Sequence, residues 1–203
     1  SVMVNIVRFA VRTIFIKVLS ETYLGVNGLF SNILGILSLA ELGIGTAIGF
    51  ALYTPLAFND NEKIKSLMNY YKKAYTIIFF VVFGLGLVIL PFLPFFIKDQ
   101  INSYNLNLNL IYIIFLFNMS VGYLFNYKRT LIIADQKAYK INIYSAITNI
   151  TMGIFQIIML LIFKNYVVYL ATQSIFIIIE NLVVNSIVDK NYPYAKELKT
   201  AKK

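Results

Sequence analysis

Apolar residues run along this chain in long blocks, separated by short segments where lysine, asparagine and acidic residues collect. A helix that crosses a bilayer needs about 20 mainly apolar residues. Six blocks meet that need: Ser1–Leu19, Gly28–Tyr53, Ala74–Ile97, Leu108–Tyr127, Asn142–Phe163 and Val167–Val188. None shows the ten-residue alternation of a membrane β-barrel, so the pattern predicts helices. The expected fold class is an all-α integral membrane protein of about six transmembrane helices. Pro91 and Pro94 in "LPFLPFF" are expected to end or kink the third block. "NSYNLNLNL" (Asn102–Leu110) reads as a short outer connection.

Charge adds an orientation. Segment 54–73 carries Lys63, Lys65, Lys72 and Lys73; segment 128–141 carries Lys128, Arg129, Lys137 and Lys140; the tail carries Lys190, Lys196, Lys199, Lys202 and Lys203. The alternate connections and their edges hold only Lys17, Lys98 and Lys164. Basic residues favour the cytoplasmic side of a membrane protein, so those two segments and the tail are expected there. Residues 1–188 then form a six-helix lobe and residues 189–203 a basic cytoplasmic tail. The chain is apolar from Val2, directly after Ser1, so its first helix is expected to be truncated.

Composition narrows the function classes. Hydrophobic residues make up 59% of the chain and charged residues 13%, against about a quarter charged in a soluble domain. The net charge of +9 lies in short segments beside the spans. Such segments cannot build the folded basic surface that nucleic acid requires, so the bilayer is the expected partner and nucleic acid is not. There is no cysteine and no histidine, which removes thiolate chemistry and the commonest general base and metal ligand. No P-loop, GxSxG or clustered carboxylate pair occurs, so neither an enzyme nor a cofactor is expected. All fifteen tyrosines fall in loops or toward span ends, where an interfacial anchoring belt is expected.

Candidate chemistry lies in the polar groups that interrupt the spans. Asn5, Arg8 and Arg12 share one helical face. An arginine facing lipid costs several kcal/mol. These two must therefore snorkel to the interface or face a protein interior, where a guanidinium fork suits phosphate oxygens. The second block carries a small-residue stripe, Ser31, Gly35, Ser38, Gly45 and Gly49, whose glycines are expected to serve close helix packing. Glu41 lies beside that stripe. It reads as an ion-pair partner for an arginine of the first helix, or as a titratable group in a cavity. Further polar stripes occur on the fourth block (Asn118, Gly122, Asn126, Arg129), the fifth (Asn142, Ser145, Asn149, Gln156) and the sixth (Gln173, Glu180, with Asn181 and Asn185 nearby). Stripes on this many helices predict convergence on a cavity.

"YLGVNGLF" at Tyr23–Phe30, "LSLAELGIGTAI" at Leu37–Ile48 and "ALYTPL" at Ala51–Leu56, with "LIIADQKAY" at Leu131–Tyr139, resemble bacterial polysaccharide flippases. These are the O-antigen and capsule repeat-unit transporters of the multidrug/oligosaccharidyl-lipid/polysaccharide superfamily. The resemblance implies one lobe, the N-terminal one, of a two-lobe transporter in the bacterial cytoplasmic (inner) membrane. It implies as partners a polyprenyl-pyrophosphate-linked oligosaccharide, a second lobe of the same protein and a polysaccharide polymerase. Arg8 and Arg12, with Asn5, become candidates for the pyrophosphate, and Asn126, Asn149 and Gln156 for the sugars. Glu41 and Glu180 become candidates for coupling a proton or sodium ion, or for balancing the arginines. Two alternatives stand beside this one. A multidrug-type cation antiporter of the same superfamily predicts an acidic cavity. A non-transporting scaffold of a polysaccharide synthesis complex predicts dispensable cavity polar groups.

Overall fold

In a computed structural model of the chain, the structure describes residues 2–41, 43–96 and 107–195. All regular structure among them is helical. Helix α1 (Val2–Leu19) meets α2 (Glu21–Ser38) at Ser20, whose φ of 105° turns the chain. A 3₁₀ turn at Leu39–Glu41 then leads through Gly43 (φ 89°) into α3 (Ile44–Ala57). Asp60 caps α4 (Asn61–Ile89) by accepting from the Lys63 amide at 3.0 Å. A 3₁₀ turn at Leu90–Phe92 and the short α5 (Leu93–Phe96) follow. Asn107 caps α6 (Leu108–Val121), which passes through Gly122, itself in helical conformation, into α7 (Tyr123–Ala134). Next comes α8 (Ala138–Phe163), then Lys164 (φ 46°), and Asn165 caps α9 (Tyr166–Asn191). The "LPFLPFF" prolines thus mark a helix end and a kinked continuation. Lys98 and most of Asn102–Leu110 lie outside the described residues, as do Ser1 and residues 196–203.

The chain is a multi-pass, all-helical membrane protein. Among the described residues four stretches are long and apolar enough to cross a bilayer: Asn61–Phe96, Leu108–Ala134, Ala138–Phe163 and Tyr166–Asn191. The expected count of six is corrected at the first two blocks. Helix α1 is continuous, but Arg8, Arg12 and Lys17 interrupt its apolar run. The second block is not one helix but two, broken at Leu39–Gly43, because Gly43 takes a backbone conformation that ends α2 and starts α3. Non-helical backbone at membrane depth occurs only where protein or a cavity surrounds it.

Helix ends also lie further out than the apolar blocks. Lys63, Lys65, Lys72 and Lys73 sit in the first turns of α4, and Lys128 and Arg129 in α7. Helix α9 runs three residues past Val188, so Asp189, Lys190 and Asn191 are helical and not tail. Charged residues can prolong a helix beyond the hydrocarbon, where hydropathy no longer marks it.

Two buried clusters stack along the bundle. One joins Leu52, Ile64, Met68, Tyr75, Leu131, Ile132, Ile141 and Val188; the other joins Phe15, Val26, Phe30, Leu93, Ile111, Leu116, Leu160 and Leu170. The tyrosine expectation needs correction here. Tyr75 and Tyr112 are fully buried, and Tyr123, Tyr127 and Tyr166 nearly so. A buried hydroxyl needs a partner, and Tyr112 donates to the Gly86 carbonyl at 3.1 Å. Tyr53, Tyr70, Tyr139 and Tyr144 keep an exposed, interfacial character.

Candidate functional site

Helices α1, α2, α8 and α9 enclose an open cavity of about 610 Å³. Helix α1 contributes Arg8, Arg12 and Phe15, and α2 contributes Asn27, Gly28 and Ser31. Helix α8 adds Asn149 and Gln156, and α9 adds Tyr169, Gln173 and Glu180. The close approach of α1 to α8 places the arginines. Gly153 of α8 has no side chain, and Val7 and Val11 of α1 fill the space where one would be. That contact turns the Arg8–Arg12 face of α1 toward the cavity.

Arg8 donates from Nη2 to Asn149 Oδ1 at 3.3 Å, and Asn149 is held by its own donation to the Ser145 carbonyl at 2.7 Å. Arg12 has no hydrogen-bond or ion-pair partner among the described residues. Glu180 Oε1 accepts from Ser145 Oγ at 2.7 Å and from Arg129 Nη2 at 3.0 Å. The Glu180 charge is therefore met by a cation, whereas the two α1 guanidiniums have no carboxylate against them. Gln156 is buried and faces both the cavity and Tyr169. The far end of the cavity is thus amide and aromatic, and the near end cationic.

A separate recess of about 430 Å³ lies at the break between α2 and α3. Its lining includes Glu41, Thr46, Tyr75, Asn126, Arg129 and Thr130. Glu41 accepts from Asn126 Nδ2 at 3.4 Å, and the Tyr75 hydroxyl lies against the same carboxylate. Neither Arg8 nor Arg12 lines this recess, so Glu41 is not the ion-pair partner of the first helix.

The structure therefore brings together Arg8, Arg12, Asn149, Gln156 and Glu180, and separately Glu41 and Asn126. Asn5 lines neither space. The polar stripes converge on two places, not one. The small-residue stripe also behaves differently from a packing face. Only Gly45 is closely approached, by the Tyr75 hydroxyl; a Cβ added at Gly28, Gly35 or Gly49 would meet nothing within 4 Å. Ser31, Gly35 and Ser38 instead line a groove of about 390 Å³ that shares Asn27, Ser31 and Gln173 with the cavity. Sequence reasoning missed Asn27, Tyr169 and Arg129 as site residues. Arg129 lay on a noted stripe, but only the fold reveals its partner. Tyr169 sat in a predicted anchoring belt and gave no separate signal.

Comparison with protein-family models, with curated proteins and with solved structures returns no match for this chain. Among the described residues no cluster of three acidic or metal-ligating side chains is present.

Proposed function

We propose that this chain is the N-terminal, anion-binding lobe of a flippase that moves polyprenyl-pyrophosphate-linked oligosaccharides from the inner to the outer leaflet of a bacterial cytoplasmic membrane. The observation that carries the reading is the pair Arg8 and Arg12, aimed into a cavity among apolar helices with no carboxylate against them. Uncompensated intramembrane charge is costly and marks a ligand pathway. Guanidinium forks suit a pyrophosphate, and the amides of Asn149 and Gln156 suit sugar hydroxyls. The resemblance of Glu21–Asp60 to polysaccharide flippases supports the same class.

In this reading the polyprenyl tail stays in lipid, and a second lobe completes the cavity. Rocking of the lobes alternates its exposure. In the same reading the tail lies in the cytoplasm, the side that its basic residues favour. Glu41, beside Asn126 at the helix break, is the proposed group for a coupling proton or sodium ion, whereas Glu180 is taken up by Arg129 and leaves the α1 arginines free for the anion. A polysaccharide polymerase would receive the product.

The test is deletion of the intact gene, with assay of surface polysaccharide and of lipid-linked repeat units. Lost surface polymer with precursor accumulating on the inner leaflet supports the flippase. Retained polymer with new sensitivity to cationic drugs replaces it with the antiporter. Loss of polymer and precursor together replaces it with a synthesis scaffold.

A further inference from the structure

The cavity proposed to hold an anionic headgroup also contains a carboxylate. Glu180 lies in the same lining as Arg8 and Arg12. An unscreened carboxylate there would repel the ligand that the arginines attract. Arg129 meets it from the other side: its Nη2 donates to Glu180 Oε1 at 3.0 Å, while its own place is in the lining of the Glu41 recess and not of the cavity. Both side chains are largely withdrawn from solvent, 34% exposed for Arg129 and 21% for Glu180, so each feels the other's charge at reduced dielectric. Ser145 donates to the same Glu180 oxygen, which fixes the carboxylate from α8 as well.

Resting on the anion-binding reading above, we propose that Arg129 is a positioning residue for the cavity: it screens Glu180, so that an isoprenoid diphosphate can settle beside Arg8 and Arg12 without Arg129 touching it. The arrangement separates two jobs that one guanidinium could not do. The α1 arginines stay available because Glu180 is occupied elsewhere. Were Arg129 absent, Glu180 would be drawn to Arg8 or Arg12, and the anion would lose a partner as well as gain a repulsion. A unit charge about 8 Å away at an effective dielectric near 20 changes binding about 30-fold.

The test uses farnesyl diphosphate as the probe and the chain in lipid nanodiscs, read by isothermal titration calorimetry against empty nanodiscs. R129Q is expected to bind about 30-fold more weakly than the parent, R129K to keep most of the affinity, and R129Q/E180Q to recover it. E180Q alone should bind more tightly than the parent, because it releases Arg129's charge toward the cavity. E41Q in the R129Q background should restore nothing, because Glu41 faces the other space. Equal binding by R129Q and the parent overturns the screening role and leaves the anion-binding reading intact. Failure of E180Q to rescue R129Q also overturns it, since Arg129 would then act by direct contact or by holding the fold. Absence of binding by the parent itself overturns the anion-binding reading and the screening role with it.

Discussion

Gly153 decides how α1 is seated, and it offers a sharp test of the cavity's construction. An added Cβ at this position would lie 2.3 Å from Val7 Cγ1 and 3.3 Å from Val11 Cγ2. Carbon atoms in contact prefer about 3.5–4.0 Å, so Gly153→Ala forces Val7 to yield by more than an ångström. Val7 cannot simply rotate, because a β-branched side chain in a helix has one strongly preferred rotamer. The remaining relief is a shift of α1 away from α8, and overpacking of this kind costs roughly 1–3 kcal/mol. The same shift would lengthen the 3.3 Å bond from Arg8 to Asn149, so anion binding should weaken along with stability. Unfolding of the chain in mixed detergent micelles, followed by circular dichroism, gives the stability change. In a Val7→Ala background the clashing methyl is gone, and Gly153→Ala should then be neutral, or favourable by up to about 1 kcal/mol through helix propensity. Gly28→Ala and Gly35→Ala serve as controls, since nothing stands within 4 Å of either new Cβ. Both should match or exceed the parent. A Gly153→Ala chain as stable as the parent, or one equally destabilised with and without Val7, would refute the argument that this contact sets the arginines' direction.

Further outcomes follow from other contacts. Lys128 is buried and paired with Asp189, so Lys128→Met should cost about 3 kcal/mol by stranding the carboxylate; Lys128→Met with Asp189→Asn should recover most of that in the same unfolding assay. Gly43 sits at φ 89°, where a Cβ costs roughly 1–2 kcal/mol, so Gly43→Ala should destabilise although nothing lies near the new methyl. At the turn between α7 and α8, burial raises the Asp135 carboxyl, but Lys137 and the Tyr192 hydroxyl outweigh it and hold it below the ordinary carboxylate range. The stability it contributes is therefore present above its unfolded value of about 3.9 and is lost as pH falls through the depressed folded value. Burial, with the Asp135 carboxylate beside it, raises the Tyr192 hydroxyl above its ordinary 10.0. Its contribution is present below pH 10 and is lost as pH rises toward that raised value. Midpoints of unfolding for Asp135→Asn and the parent should consequently converge in acid and differ most near neutrality; a constant gap across pH would contradict the pairing.

Hydropathy carried the last four spans because their apolar runs exceed the bilayer's thickness, and no tertiary contact is needed to recognise that. It failed where a local event cut across an apolar run. The stretch Gly28–Tyr53 reads as continuous, yet the left-handed backbone at Gly43 divides it. The helical segments holding Lys63 to Lys73 and Lys128 to Arg129 were hidden for the opposite reason, since charge lowers hydropathy without ending a helix. Tyrosines misled because the same amphipathic ring serves an interface or a core. Tyr112 stays inside because the Gly86 carbonyl is there to accept its proton, a contact that 26 residues of separation conceal. The arginine face of α1 was legible from the spacing of Arg8 and Arg12 alone. Whether that face met lipid, water or protein depended on Gly153, a residue whose importance lies in what it lacks.

The separation of Glu41 from the arginines changes how the site must operate. A cavity that held Glu41 as well as Glu180 would set two carboxylates against its two arginines and would discriminate poorly between anions and cations. Each space holds both signs but bonds them differently: in the cavity Glu180 is met by Arg129 while the two α1 guanidiniums bond no carboxylate, and in the recess the Glu41 carboxylate is bonded by an amide and a phenol. Arg129 and Glu180 form the one ion pair among the described residues that joins a lining residue of each. Arg129 lines the recess with Glu41 and is itself paired with Glu180, so it offers a route by which a change of charge at Glu41 reaches the cavity. Linkage makes such a coupling reciprocal: if a positive charge in the recess strengthens the hold on an anion in the cavity, the anion must strengthen the hold on that charge by the same factor. The broken helix matters here because a 3₁₀ turn and a glycine joint can change geometry at small cost, whereas a continuous helix through the same positions would hold Glu41 at one fixed distance from Arg129.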